Sequence, residues 1–177
     1  SRGRLWIGTD NGGLNRFDQA TGTFRSWQRS GSPASLPSDR VRDIFESKSG
    51  TLFIGTSSGL ASFDPESERF TRLDPVPPLD SSNVQEIQED ATGRLWLGTA
   101  NGLSVVDTKT AVSRTYNEGD GLQGTIFFPG SSWRSPDGTL YFGGAAGFSA
   151  FHPESVPDNN AIPSIVITRL NVYANPD

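Results

Sequence analysis

The 177-residue sequence contains no cysteine. Disulfides and thiolate metal sites are therefore excluded, although the absence says little about redox compartment. Histidine is nearly absent too, with His152 alone. No stretch approaches the ~18 consecutive apolar residues of a membrane span, so no direct membrane insertion is expected. Positive charge is in deficit: 15 Lys and Arg face 20 Asp and Glu, for a net charge of -5. Nucleic acid is thereby disfavoured as a partner, because phosphate binding calls for a basic face. A signal peptide is not expected, since Ser1 already sits inside a structured motif. Hydrophobic residues at 33% and charged residues at 20% describe a globular composition rather than a disordered one.

What the sequence has in quantity is turn formers, with 20 Gly and 12 Pro. Many turns without long apolar runs indicate an all-β fold of short strands. One block recurs four times: Gly3-Arg4-Leu5-Trp6-Ile7-Gly8-Thr9, Gly50-Thr51-Leu52-Phe53-Ile54-Gly55-Thr56, Gly93-Arg94-Leu95-Trp96-Leu97-Gly98-Thr99 and Gly138-Thr139-Leu140-Tyr141-Phe142-Gly143-Gly144. The spacings are 47, 43 and 45 residues. A second block follows each copy: Gly13-Leu14 to Asp18, Gly59-Leu60 to Asp64, Gly102-Leu103 to Asp107 and Gly147-Phe148 to His152.

The first block is a continuous apolar run, as in a strand buried on both faces. Gly12, Gly13, Gly59, Gly102 and Gly147 are expected to supply the positive φ of a tight turn. The two blocks therefore read as a hairpin. A third strand follows at Thr23–Trp27, Arg69–Leu73 and Val112–Tyr116. The stretches Val41–Glu46 and Val84–Ile87 place apolar residues three apart, which fits a helix capped by Asp39 or Ser82 as well as a strand. Strand is preferred, because the matching stretch of the fourth copy holds Pro129, Gly130 and Pro136. Four strands in about 40–45 residues make a propeller blade. The expected fold is a β-propeller fragment of about four blades, each a four-stranded antiparallel sheet. Repeats start near residues 3, 40, 83 and 126. Trp6, Phe53, Trp96 and Tyr141 are expected to pack between blades, with Gly8, Gly55, Gly98 and Gly143 as repeated structural positions.

The pattern G-x-L-W-I-G-T, then G-L, then an aromatic-Asp-Pro step, resembles the two-component regulator propeller repeat. The lead-ins Leu36-Pro37-Ser38-Asp39-Arg40-Val41 and Leu79-Asp80-Ser81-Ser82-Asn83-Val84 are similar to that repeat as well. The resemblance implies the periplasmic sensor of a hybrid histidine kinase or diguanylate cyclase in a bacterial inner membrane. It implies an oligosaccharide or another extracellular small ligand, and signalling through a dimer. The fourth copy, with Gly121-Leu122-Gln123-Gly124 and Phe148, Phe151, His152 and Pro153, resembles the last blade before a triple-tyrosine β-sandwich. Residues 161–177 resemble the linker and first strand of that sandwich, so the chain reads as a fragment spanning blades at 1–160.

Chemistry is sparse. His152 occupies the slot of Asp18, Asp64 and Asp107, which favours a turn residue over a general base. One His and no Cys leave a metal site unsupported. The acidic loop Asn117–Gly121 misses calcium-loop spacing. No G-x-S-x-G elbow occurs, and the Gly8–Gly13 and Gly143–Gly147 stretches are repeat turns rather than phosphate loops. Pairs such as Asp39 with Asp43, or Glu86 with Glu89, fit glycoside cleavage only by chance on an acidic surface. No catalytic residue, metal or cofactor is expected.

A binding surface is the better reading. The segments entering the innermost strands differ from copy to copy on a repeated frame, which is where a binding face is written. Arg42, Gln85, Phe127, Phe128, Trp133 and Arg134 are the candidate ligand residues. Trp133 and Arg134 stand where an earlier copy has Phe45 and Glu46, and an exposed aromatic beside Arg stacks on a sugar or contacts the next domain. The leading expectation is a non-catalytic ligand-sensing ectodomain. A protein-binding scaffold propeller is the alternative, and a polysaccharide-acting enzyme ranks third.

Overall fold

The computed structural model describes residues 4–156. They form four antiparallel sheets and two short 3-10 turns, at Glu118–Asp120 and Pro153–Ser155. The first sheet has three strands, β1 (Leu5–Gly8), β2 (Leu14–Asp18) and β3 (Thr23–Trp27), in that order. The second has four, β4 (Val41–Glu46), β5 (Leu52–Thr56), β6 (Gly59–Asp64) and β7 (Arg69–Leu73). The third repeats that meander with β8 (Val84–Glu89), β9 (Leu95–Thr99), β10 (Leu103–Val106) and β11 (Ser113–Tyr116). The fourth contains β12 (Phe127–Arg134), β13 (Leu140–Gly144) and β14 (Gly147–Phe151). The expected linker and sandwich strand at 161–177 lie outside the described residues.

The stretches compatible with helix or strand are strands, and their spacing has a cause. In β4, Val41 pairs with Thr56 and Asp43 pairs with Gly55, so Arg42 is an extra residue in a bulge. The same shift separates Val84 from Glu86 in β8. A bulge resets the alternation, so Val41 and Ile44 reach one core three residues apart, as do Val84 and Ile87. Three apart on a bulged strand imitates the spacing of a helix face.

The sheets bury their faces against one another. Between the first and second, Trp6 and Trp27 pack on Phe63, with ring centroids 5.5 and 5.1 Å away. Between the second and third, Phe53 joins Val84, Ile87, Leu95 and Leu97. Between the third and fourth, Trp96 meets Phe151 at 4.7 Å beside Leu140 and Phe142. Each large apolar side chain so buried contributes roughly 2–3 kcal/mol. Strands β5 and β9 are buried throughout. In β1, by contrast, Leu5 is 55% exposed, because among the described residues no sheet covers its outer face.

The glycine closing each first block leaves room for the next sheet. A Cβ on Gly8 would lie 2.5 Å from Val41 Cγ1, on Gly55 3.0 Å from Val84 Cγ1, and on Gly98 3.1 Å from Phe127 Cβ. Val41, Val84 and Phe127 each open an innermost strand. Gly143 is crowded instead by Ser131 of its own sheet. The hairpin turns use positive φ at Gly13, Gly59, Gly102 and Gly147. Gly12 is a correction: its φ is not positive, and its N–H donates to Thr9 Oγ1 at 2.8 Å.

Candidate functional site

Strands β4, β8 and β12 are the innermost strands of three consecutive sheets, and they contact one another around one axis. They are joined by side chains rather than by a ladder. Asp43 accepts hydrogen bonds from the Ile44 N–H at 2.8 Å and the Ile87 N–H at 2.7 Å. Glu86, at the same position one sheet on, accepts from Ser131 N–H at 2.5 Å and Ser131 Oγ at 2.9 Å. Gln88 Nε2 donates to Ser132 Oγ at 2.9 Å. Burial pushes the Glu86 carboxyl up to about 7 against the bonds from Ser131, and the like charge of Asp43 adds to the rise. Asp43 is also raised by burial, against the Ile87 and Ile44 N–H groups.

At the far ends of these strands lies an open concavity of about 480 Å³. Phe45, Glu46 and Lys48 line it from the second sheet, Gln88 and Glu89 from the third, and Arg134, Ser135 and Pro136 from the fourth. Glu46, Glu89 and Arg134 are equivalent, pairing with Leu52, Leu95 and Leu140. The repeat thus reverses charge at its last copy. Lys48 is engaged, its N–H donating to Glu89 Oε2 at 3.0 Å and its Nζ to the Asp90 carbonyl at 3.2 Å. The Arg134 side chain forms no hydrogen bond or ion pair among the described residues, and its Nε is buried without a partner there. A guanidinium in that setting is ready for an acceptor from outside the chain.

The other candidate residues do not converge there. Arg42 sits on the β4 bulge at the opposite strand end, with Nη1 3.4 Å from Asp10 Oδ1. Gln85 holds the same bulge position in β8, its Oε1 buried and unpartnered. Phe128 is exposed at the start of β12. Phe127 is a core residue, 2% exposed and edge-to-face with Phe142 at 6.0 Å, so it is not available to a ligand. Trp133 lies on a sheet face rather than in the concavity. It occupies the position of Phe45 and Gln88, cross-strand to the aromatic of the first block. Its ring centroid is 5.7 Å from Tyr141, which in turn is 6.3 Å from Phe148. Tyr141 therefore departs from the expected packing between sheets: among the described residues no further sheet covers this face.

One structural residue escaped the sequence reading. Asp90, buried at the end of β8, accepts from Thr92 N–H at 2.9 Å and Thr92 Oγ1 at 2.7 Å. It also accepts from Arg94 N–H at 3.1 Å, Arg94 Nε at 2.9 Å and Trp96 Nε1 at 3.1 Å. Burial alone would raise its carboxyl, but the bonds from Thr92, Trp96 and Arg94 outweigh it and hold the carboxyl below the usual range. The signal was an Asp where other copies have Ser47 and Ser135.

Asp18, Asp64 and Asp107 each close a second-block strand by accepting from backbone N–H groups just ahead. His152 in that slot precedes Pro153, and its Nε2 lies 3.2 Å from the Asp137 carbonyl. In the acidic loop, Asn117 Oδ1 accepts from Gly119 N–H and an Asp120 carboxylate oxygen from Asn117 N–H, so these groups serve their own turn. Among the described residues no three His, Asp or Glu side chains gather as a metal site would require, and no helix is long and apolar enough to cross a membrane.

Residues 35–58 and 78–101 match the family model described as two component regulator propeller. No curated protein matches the sequence. Among solved structures, the extracellular domain of the hybrid two component system BT3049 from B. thetaiotaomicron superimposes with a TM-score of 0.76 at 23% identity. That match covers 87% of this chain and 21% of the other. The extracellular domain of the one component system BT4673 from the same organism gives 0.74 at 25% identity, over 89% of this chain and 23% of the other. Virginiamycin B lyase from Staphylococcus aureus gives 0.58 at 13% identity, over 89% and 55%. The fold is a β-propeller, and this chain spans about a fifth of the length of the two extracellular domains.

Proposed function

Because this chain carries two component regulator propeller repeats, we propose that it belongs to the extracytoplasmic, ligand-sensing part of a membrane-bound signalling protein. Its own role is non-catalytic. It binds a small extracellular ligand, an oligosaccharide in the first instance, and biases the geometry of a dimer whose output module lies elsewhere in the protein. A ligand acts as a signal only if it binds two receptor states unequally. A site shared by three sheets meets that requirement, because tilting one sheet against the next changes its shape.

The observation that carries the reading is Arg134, a cation without a partner among the described residues, in a concavity built from three successive innermost strands. The resemblance to extracellular domains of two-component and one-component systems supports the setting. The test is thermal-shift and calorimetric titration of the full chain with a panel of neutral and acidic oligosaccharides. At least one is expected to raise the melting temperature of the wild type and to lose most of that effect in Arg134→Gln. A ligand that binds both proteins alike places the site elsewhere. Turnover of a saccharide by the chain would overturn the non-catalytic reading, and sequencing the gene on both sides tests the sensor reading, which requires a membrane span and a transmitter module.

A further inference from the structure

Asp43 and Glu86 occupy one position of successive innermost strands, just past the bulge, and each reaches the following sheet. Glu86 is wholly buried. One of its oxygens accepts from Ser131 N–H and lies 2.9 Å from Ser131 Oγ, whose single proton the Phe128 and Gly143 carbonyls share at 2.8 Å. The other, Oε2, is buried without a partner and lies in the space beside the Gly98 α-carbon that Phe127 and Phe142 also bound. Around it, β4 presents Asp43, β9 presents Gly98, β12 presents Ser131 and Phe127, and β13 presents Phe142. No cation is among them.

A carboxylate in that position is a buried charge with one bare oxygen beside a charge of like sign. That arrangement is strongly disfavoured. The neutral acid keeps the bond from Ser131 N–H and the contact with Ser131 Oγ, and leaves only a hydroxyl unpaired. We infer that Glu86 is a protonation-controlled clamp: it holds β12 against β8 while it carries a proton, and losing that proton loosens the seam between the third and fourth sheets. Burial sets the working point, and the charge of Asp43 makes the ionised form of Glu86 costlier still. The placement of the Glu86 carboxyl at about 7 agrees with this. Its sign is definite. A carboxyl raised in the folded state above its usual value of 4.5 gives stability that is complete below that value and lost as pH rises through 7. The clamp grips β12 at Ser131, three residues before Arg134, so proton concentration is coupled to the shape of the concavity.

The experiment is backbone amide exchange at Ser131 in the full chain from pH 5 to 9, corrected for intrinsic exchange. Protection is expected to fall with rising pH, by up to about tenfold per unit. In Glu86→Gln, which keeps the carbonyl acceptor and cannot ionise, protection should stay level. In Asp43→Asn the fall should move to lower pH, since removing the like charge makes ionisation of Glu86 easier; the carboxyl carbon-13 resonance of Glu86 reads its titration directly and is expected to shift its midpoint down as well. A wild-type Glu86 carboxyl that titrates below pH 5, or an equal fall of protection in Glu86→Gln, overturns the inference. Should Glu86→Gln fail to fold, the wild-type resonance decides alone.

Discussion

Asp90 ties the end of β8 to Arg94 and to the indole of Trp96. Asp90→Ala leaves a buried indole N–H and a guanidinium without their acceptor. The expected loss is about 3 kcal/mol, read as a shift in the denaturant midpoint. The pH dependence has the opposite sign to that of Glu86. Asp90 is depressed in the fold, so its contribution is present above the unfolded value of 3.8 and disappears as pH falls through the folded value. Acid melting curves of wild type and Asp90→Asn should therefore converge as pH drops. Gly55 makes a second residue-level case. A Cβ there would meet Val84 Cγ1 at 3.0 Å and the Val84 carbonyl at 3.2 Å, and Gly55→Ala should cost about 1–3 kcal/mol. Gly31, with open space and no positive φ, is the control, expected within about 0.5 kcal/mol of wild type when changed to Ala. The recurrence of that glycine was visible in the sequence, whereas its reason, a neighbour more than twenty residues on in another sheet, was not.

At the scale of elements, the bulge in the innermost strand governs both core and site. It delivers Val41 and Ile44 to one core and turns Asp43 toward Ile87. Deleting Arg42 would remove the extra residue and leave Val41, Asp43 and Ile44 in regular alternation on their present faces, but without the local twist that a bulge adds. The expected outcome is a melt that stays cooperative by circular dichroism with a lowered midpoint. Arg42→Ala removes only a partly exposed contact with Asp10 and should change stability by about 1 kcal/mol or less. A deletion that melts like the wild type would mean that the bulge is dispensable. The hairpins were legible from two glycine-bounded blocks in every copy. The innermost strands were less so, because their bulge hides a period of two behind a spacing of three.

Among the described residues, the first and last sheets differ from those between them. Leu5, Phe17 and Phe24 lie on one face that no other described sheet covers, and Trp133, Tyr141 and Phe148 on the other. On the inner sheets the equivalent positions are covered by a neighbouring sheet. Trp133 is 57% exposed and Phe148 64%, and neighbouring exposed aromatics favour association. Sedimentation of the chain should show concentration-dependent self-association that Trp133→Ser with Phe148→Ser relieves. A wild type that stays monomeric at all concentrations would remove the end faces as sticky surfaces. The same geometry explains why Trp133 read as a ligand residue: in one dimension it stands beside Arg134, but adjacent strand residues point to opposite faces.

Repetition along the chain was enough to determine the fold class, the strand order within each sheet and the turn positions, because those follow from local periodicity and from glycine. The partners across sheets were decided only in three dimensions. Asp43 meets Glu86 rather than Asp39, Phe127 is sealed beneath Gly98, and Arg134 alone of the candidate residues reaches the concavity unpaired. Each of these depends on how one sheet packs on the next, at separations of about forty residues, where spacing in the sequence carries no direction.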